Sequence, residues 1–559
     1  METTGSITWE DYVRAERFLP WNVTRLMSAL DIEPHWSADG RRCWYRVQRE
    51  SGPMIMRVDL DTGTSAPAFD HDRLAEMLSR ATGIPMDRTS LPFDALTLDD
   101  DGRVSVVIDG AAWHCDVDTG ECQSTGPANE PPADVVRSPD GRHDAFARDH
   151  DLWIRDRTTG TERQVTPGGE PGNAFGSALV SPLVTAGLDE PQKPAVIWSP
   201  DSTRLLTCRI DEREALKFHL VQSLPPDGAT RPRLHTYSYP LPGDEAVPQV
   251  EYWCVDVASG QARRVDLPLL PLLYYGSPLN ESATWWSGDS SEVFLLIRER
   301  GYLGYRLVAA NCASGAVRTV VEEQSQRGID PYLYWAAINI RVINGGREVV
   351  WYSHRDGWPH LYLYDGQRGE LLRQLTTGPF SVSEIVHVDE AGRWLYLMAL
   401  GKEAERDPYY SHLYRVDLDR GGALELLTPE DAEHGVSLSP AGTHVIDTFS
   451  RSDRAPETVL RTADGALLGS LETAEIGRLR ATGWQPPERF SAKARDGVTD
   501  VYGVIFRPST FDPARRYPVI DNIYGGPQVN QAPTSFADSK AFGGSQRAGR
   551  GRTFWQAQA

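Results

Sequence analysis

Cysteine and lysine are scarce in this chain of 559 residues, and long apolar runs are missing altogether. The six cysteines, at 43, 115, 122, 208, 254 and 312, contain no C-x-x-C pair and are too sparse for a disulfide scaffold, so they read as reduced, mostly buried thiols. Nowhere do roughly 18 apolar residues follow one another, which excludes a helical membrane span. The opening METTGSITWEDYVRAERFL lacks a basic region followed by an apolar stretch, so no signal peptide is visible and a cytoplasmic location is expected. Lysine occurs five times, leaving arginine to carry almost all the positive charge. Even so, 57 basic residues against 78 acidic ones leave a net charge of −21, which argues against nucleic acid or an anionic membrane as partner.

What is present is a globular composition, 40% apolar and 24% charged, on a chain too long for one core. Two helices are predicted near the start. Thr8 and Asp11 make an N-capping pattern before a helix over 9–19, and Asp70 caps one over 71–81 whose apolar face is Leu74, Met77 and Leu78, with Gly83 as its stop.

Beyond these, strands dominate, and they carry a repeat of two turns. The first is Asp-Gly-like, at Asp39-Gly40, Asp101-Gly102, Asp140-Gly141, Asp201-Ser202, Asp289-Ser290, Gly345-Gly346, Ala391-Gly392 and Ala441-Gly442. The second follows about 20 residues later in an Asp-x-x-(Thr/Ser)-Gly pattern or a variant or shortened version of it, and ends at Gly63, Gly120, Gly160, Gly260, Gly315, Gly366, Gly421 and Gly465. Aromatic and β-branched runs such as CWYRV, DLWIRD and WLYLMAL lie between them. Eight units over 35–485, about 56 residues each, predict an eight-bladed β-propeller; a pair of large β-sandwiches is the alternative but would not need the same two turns eight times. The sixteen tryptophans suit the widening wedges between such sheets.

One unit is about 40 residues too long. Residues 212–250, rich in Pro and Gly with Tyr237, Tyr239 and Leu241 alternating, read as an arm leaving a blade, to reach a second subunit, to roof an opening or to lie as a surface loop. After 485 the pattern changes. Arg495-Asp496-Gly497 turns a hairpin, and Tyr517 to Tyr524 reads as a short strand ending in Gly525-Gly526-Pro527. Such a strand needs neighbours on both edges, so 486–559 is expected to be the incomplete start of an α/β domain.

These segments together resemble the prolyl-oligopeptidase-type serine peptidases, in the dipeptidyl peptidase IV branch. The resemblance rests on ITWEDYVRAERFLPWN, PAFDHDRLA, SPDGRHDAFARDHDLWIRDRTTG, WSPDSTRLLTCRID, RPRLHTYSYPLPGDEAVP and FSAKARDGVTDVYGVIFRPSTFDPARRYPVIDNIYGGP, in that order along the chain. It implies a mainly β fold, an eight-bladed propeller over 35–485 followed by the start of an α/β-hydrolase domain. It also implies that the N-terminal segment 1–34 associates with the hydrolase, and that peptides are cleaved through an acyl-enzyme with no metal or other cofactor.

By the same resemblance, Tyr524 of the YGGP segment donates its hydroxyl to the oxyanion of the tetrahedral intermediate; a packed strand-end aromatic is the other reading. The nucleophile in such enzymes is the Ser of a G-x-S-x-G elbow. No serine here has glycines at both positions: Ser290 fails at Glu292 and Ser545 at Arg547. Nucleophile, acid and base are thus expected beyond residue 559, and the chain alone is expected to be inactive. The family's glutamate pair, which clasps the substrate's amino terminus, is missing before WSPD; Asp189-Glu190 can substitute if the loop shifts, or is a solvated turn pair. This departure leaves dipeptidyl, tripeptidyl, acyl-aminoacyl and oligopeptidase preferences open. His219, His235 and His360 lack metal-ligand spacing and read as packing or solvated groups, and the Gly-rich 543–551 lacks the Lys-Ser/Thr of a phosphate loop.

The expectation is therefore a serine exopeptidase acting on short peptides, dimeric through the 212–250 arm as related enzymes are through a similar excursion. The alternative is a propeller used for binding or scaffolding without catalysis.

Overall fold

In the computed structural model, residues 8–99, 102–127, 131–178, 193–225, 228–272, 278–326, 339–508, 511–521 and 532–536 are described. Eight antiparallel sheets follow one another along the chain, over 33–67, 96–127, 135–164, 173–271, 284–324, 341–374, 381–426 and 433–473. Seven are four-stranded with strands in chain order, and the fourth has six strands because its first strand is split and a short strand is added. The protein is mainly β, an eight-bladed β-propeller, and the sheets are numbered blades 1–8 below.

Polar turns punctuate the blades. Before strand two, a Ser hydroxyl bonds an Asp two residues on and also receives a backbone N–H, as in Ser37–Asp39, Ser138–Asp140, Ser199–Asp201 and Ser287–Asp289, at 2.6–2.7 Å. After strand three, a carboxylate or amide caps the turn and a glycine N–H closes it four residues on, as in Gly63→Asp59 and Gly315→Asn311. Two expected positions shift. In blade 6 the closing residue is Gly369, at φ 71°, and not Gly366; Gly366 is needed for space, because a Cβ there would collide with the Gly346 carbonyl oxygen. In blade 7 the left-handed residue is Arg393, one beyond Gly392.

The chain divides into two compact units: 1–129 with 353–360 and 375–559, and 130–352 with 361–374. In the first unit, blade 1 packs on blade 8. Tyr45, Val47, Met56 and Val58 share a core with Ile446, Leu460 and Leu471. Across the same seam the Tyr45 hydroxyl donates to Glu472 at 2.8 Å, and the Trp36 indole to Ser437 at 3.0 Å. The helix His71–Thr82 forms as its sequence predicts: the Asp70 carboxylate accepts from the N–H groups of Asp72 and Arg73, and Gly83 ends it in the left-handed region. Its apolar face covers Val104, Val106 and Cys115 of blade 2. The lead-in, Trp9–Glu16 followed by Pro20–Val23, is anchored by Phe18, Val23 and Met27 against Ile476, Leu479, Trp484 and Phe536.

In the second unit, Leu206, Cys208, Tyr252 and Cys254 of blade 4 share a core with Val293, Leu295, Val308 and Cys312 of blade 5. The arm is a two-stranded hairpin, Lys217–Gln222 paired with Arg233–Ser238.

Not all cysteines are thiols: Cys115 and Cys122, which face each other across adjacent strands of blade 2, form a disulfide, while Cys43, Cys208, Cys254 and Cys312 are buried and free. A spacing of seven residues gave no hint of pairing, because only the hairpin register makes the two Cα atoms neighbours. The hairpin Glu488–Lys493 with Asp500–Ile505 forms around Gly497 as expected. Residues 517–521, however, form no strand, and Val519 and Ile520 are almost fully exposed; among the described residues nothing supplies the neighbours that a strand requires.

Candidate functional site

The sequence-derived site residues Tyr524, Asp189 and Glu190 all lie outside the described residues. The strands that flank Asp189 and Glu190 are described. Strand one of blade 4 is in two pieces, Asn173–Phe175 and Val196–Trp198, both paired with Arg204–Asp211. The Gly176 N–H donates to Cys208 O, and the Ala195 N–H donates to Gly176 O at 2.8 Å, so the chain leaves and re-enters the blade at one point. The arm leaves from the far end of the same long strand pair, Arg204–Asp211 with Gln249–Asp256.

Beside this point, blade 4 carries a compact aromatic and ionic group. Phe175 lies opposite Arg209 and Arg209 opposite Glu251, while Trp253 lies opposite Arg264. The Arg209 guanidinium sits 5.3 Å from the Phe175 ring and 5.9 Å from that of Trp253, and the two rings meet edge to face at 5.4 Å. Glu251 is 5% exposed; one oxygen is paired with Arg209 and the other takes Arg264 Nε at 2.6 Å. A carboxylate with both oxygens committed to arginines is not free to hold a substrate ammonium. The group lies in the same blade as the divided first strand, beside Phe175.

A second group lies in blade 8 and the connection from blade 7. Ligand atoms of Glu430, His434 and Asp447 lie within 4.8 Å of one another, a grouping of metal-ligating side chains. The hydrogen bonds argue against a metal. His434 Nδ1 faces Asp447 Oδ1 at 2.9 Å and Nε2 faces the Glu430 carbonyl at 3.0 Å, so both nitrogens donate and neither offers a lone pair. Arg461 donates to Asp447 Oδ2 at 2.9 Å and to Glu430 at 2.6 Å, placing a fixed cation where a metal would sit. Burial is the largest single influence and disfavours the His434 imidazolium, but the charge and hydrogen bond of Asp447 together with Glu430 outweigh it and the pKa is raised. Beside it, at 5.0 Å between ring centres, His412 is lowered to about 4 by burial and by the charge of His434. The result is two cations and two carboxylates locked together, a structural network.

A related pattern recurs in the sequence of other blades. In blades 3, 6 and 7, Asp or His precedes the leucine of strand three (Asp151-Leu152, His360-Leu361, His412-Leu413), and an apolar-Thr pair closes the blade (Val165-Thr166, Leu375-Thr376, Leu427-Thr428). The threonine side chain accepts the Leu152 N–H at 2.8 Å and the Leu413 N–H at 2.9 Å. It also bonds Asp151 and His360, at 3.0 and 3.1 Å. His360 is thus a buried packing group, while His219 and His235 bond Thr236 and Gln222 on the arm.

The hairpin 488–505 is held on blade 7 by Arg489, which pairs with Asp407 at 3.3 Å and lies 5.0 Å over the Tyr410 ring; Tyr409 meets Tyr502 edge to face at 5.8 Å.

Comparison with known proteins follows the same lines. A family model described as dipeptidyl peptidase IV (DPP IV) N-terminal region matches residues 95–456. Dipeptidyl peptidase 4 of Trichophyton equinum is 25% identical over 423 residues, covering 71% of this chain and 50% of its own. The protein of the same name from Arthroderma otae is 23% identical over 414 residues, covering 69% of this chain and 49% of its own. The chain therefore spans about half the length of the curated relatives it matches. The crystal structure of Porphyromonas gingivalis dipeptidyl peptidase 4 superposes with a TM-score of 0.60 at 20% identity, over 88% of this chain and 66% of that one. A solved Bacteroides ovatus protein of the dipeptidyl aminopeptidase IV type gives 0.64 at 20% identity, over 92% and 71%. With well over half of its residues matched by that model, the chain belongs to the dipeptidyl peptidase IV N-terminal region family.

Proposed function

We propose that this propeller selects substrate for serine-type hydrolysis of short peptides near their amino terminus, the reaction proceeding through an acyl-enzyme. The observation that carries the reading is the match over 95–456, which includes the interrupted first strand of blade 4 and the arm. Asp189 and Glu190 supply the negative charge for the substrate ammonium, and Tyr524 supplies an O–H to the oxyanion. No serine of these residues stands in a G-x-S-x-G pattern, so selection and not acyl transfer is the part assigned to them.

The test uses a proline-containing dipeptidyl chromogenic substrate, an N-acylated one, and equilibrium binding of a short peptide with a free amino terminus. The 559 residues are expected to bind the free peptide, to lose at least tenfold in affinity, about 1.4 kcal/mol, when it is N-acetylated, and to lose the same when Asp189→Asn and Glu190→Gln are combined. Equal binding of both peptides overturns the amino-terminal reading; inhibitor-sensitive turnover overturns the assignment of selection alone.

The arm is proposed as the contact with a second copy in the cytoplasm. Val221 and Leu234 face each other across the hairpin and are both more than half exposed, and Leu224 is 89% exposed. A lone two-stranded hairpin with apolar residues in water is marginal and gains from a covering partner. Light scattering at micromolar concentration is expected to give a dimer, and a monomer for Val221→Asp with Leu234→Asp.

A further inference from the structure

The disulfide of blade 2 joins two sulfurs in unequal surroundings. Cys115, on the strand Ala111–Asp116, lies directly opposite Cys122, on Glu121–Pro127, with Cα atoms 4.0 Å apart. Cys115 is fully buried in the core that the helix His71–Thr82 covers, whereas Cys122 is half-buried on the last strand of the blade. Apart from Cys122 and Gly126 that strand is exposed, and within its sheet it pairs on one side only.

The hairpin does not need the bond to keep its register. The Asp116 carboxylate accepts the N–H groups of Asp118 and Thr119 at 3.0 and 2.9 Å, and the Gly120 N–H closes the turn on Asp116 O at 2.9 Å. Arg73 of the helix donates to Asp118 O at 3.0 Å. With the bond broken, the two sulfurs therefore stay opposite each other, ready to rejoin. A disulfide and the fold stabilise each other to the same extent, and that gain grows with the loop that is closed. Two residues seven apart, in a hairpin that its own turn already closes, gain little. A small gain and an accessible sulfur are the properties of an exchangeable bond, not of a permanent one.

We propose that Cys115–Cys122 is a reversible thiol–disulfide exchange site for dithiol reductants, and that its state sets how firmly the outer strand and the helix His71–Thr82 are held on blade 2. One thiolate of the dithiol attacks the half-buried Cys122 sulfur, and the S–S bond breaks with its electron pair on Cys115 Sγ, which takes up a proton. The second sulfur of the dithiol, as thiolate, attacks its own partner in the mixed disulfide and releases Cys122 as a thiolate, which is protonated in turn. The dithiol ends as its disulfide, and its two electrons and two protons end on the two cysteines. Unbonded sulfurs need van der Waals separation in place of a bond of about 2.05 Å. With Cys115 packed under the helix, the outer strand that carries Cys122 is the part that yields.

The test starts from the full chain treated with oxidised dithiothreitol, which is then exposed, still folded, to millimolar reduced dithiothreitol at about pH 8. Samples are quenched in acid, alkylated in denaturant and digested, while amide hydrogen exchange is followed in parallel. The peptide that carries both cysteines is expected to gain two alkyl groups while circular dichroism shows a folded chain, and to be recovered without them after return to oxidant. Exchange over 71–82 and 121–127 should rise at least about threefold on reduction and fall back on re-oxidation, with the blade 8 strands at 433–473 unchanged. With glutathione, a monothiol, the trapped adduct should be on Cys122. Failure of the bond to form, a bond that yields only when the chain unfolds, an adduct on Cys115, or reduction with no change in exchange each overturns the proposal. Cys122→Ser should exchange like the reduced chain and not respond to dithiol; a folded variant that exchanges like the oxidised chain overturns the proposal too. Where that variant fails to fold, the measurements on the unaltered chain decide the matter.

Discussion

Asp447 is completely buried between two cations, His434 and Arg461, and its removal leaves both without compensation. Replacing one partner of a buried network costs far more than the network contributes, so Asp447→Asn is expected to destabilise by about 3–5 kcal/mol, read from the urea midpoint at constant slope. The neighbouring histidines give opposite pH signatures. His434 has a raised folded pKa, so its contribution is fully present below the ordinary histidine value of about 6.5 and is lost as pH rises through the folded value. His412 is lowered to about 4, so its contribution is present above about 6.5 and is lost as pH falls towards 4, a difference of about 3 kcal/mol. Urea titrations from pH 4 to 9 should show both limbs; His434→Gln should flatten the alkaline one, and an unchanged slope would refute the assignment.

At the scale of the element, the turns decide register. Gly369 closes the strand three to strand four turn of blade 6 at φ 71°, and a Cβ there would also collide with the Val320 carbonyl oxygen. Gly369→Ala is expected to cost at least about 1–2 kcal/mol, with Gly366→Ala comparable through its clash with Gly346. Chemical denaturation measures both, and Gly422→Ala, which meets no atom within 4 Å, is the control for backbone strain without a clash. Position 366 misled the sequence reading for a physical reason. A glycine demanded by a left-handed turn and one demanded by a close neighbour look alike in one dimension, and only the packed blades separate them.

At the scale of the whole molecule, the turn aspartates make an array tuned alike. Burial alone would raise the Asp201 carboxyl, yet hydrogen bonds from Ser199 and Thr203 hold it at about 2; Asp289 is held at about 2 by the hydroxyls of Ser287 and Ser291. Carboxylates with lowered folded pKa values stabilise above their unfolded value near 3.8 and lose that contribution as pH falls towards 2. Cooperative acid unfolding is therefore expected below about pH 4, and Asp201→Asn should shift its midpoint. In the first unit, the seam between blade 1 and blade 8 has no shared sheet and depends on side chains. Tyr45→Phe removes the hydroxyl from Glu472, which keeps Arg49 at 2.7 Å, and is expected to cost about 1–2 kcal/mol by urea denaturation.

The local grammar of this protein is in its sequence. Asp70 and Gly83 bound a helix, Arg495-Asp496-Gly497 turns a hairpin, and eight recurrences of two polar turns mark eight blades, because capping and turn chemistry act over four or five residues. What tertiary structure alone decided involves residues far apart in the chain. Only packing put Asp447 between His434 and Arg461, joined Cys115 to Cys122 through a hairpin register, and left 517–521 without strand pairing. Burial and ionisation follow from those encounters: a carboxylate, a thiol or an imidazole has no fixed chemistry until its neighbours are known.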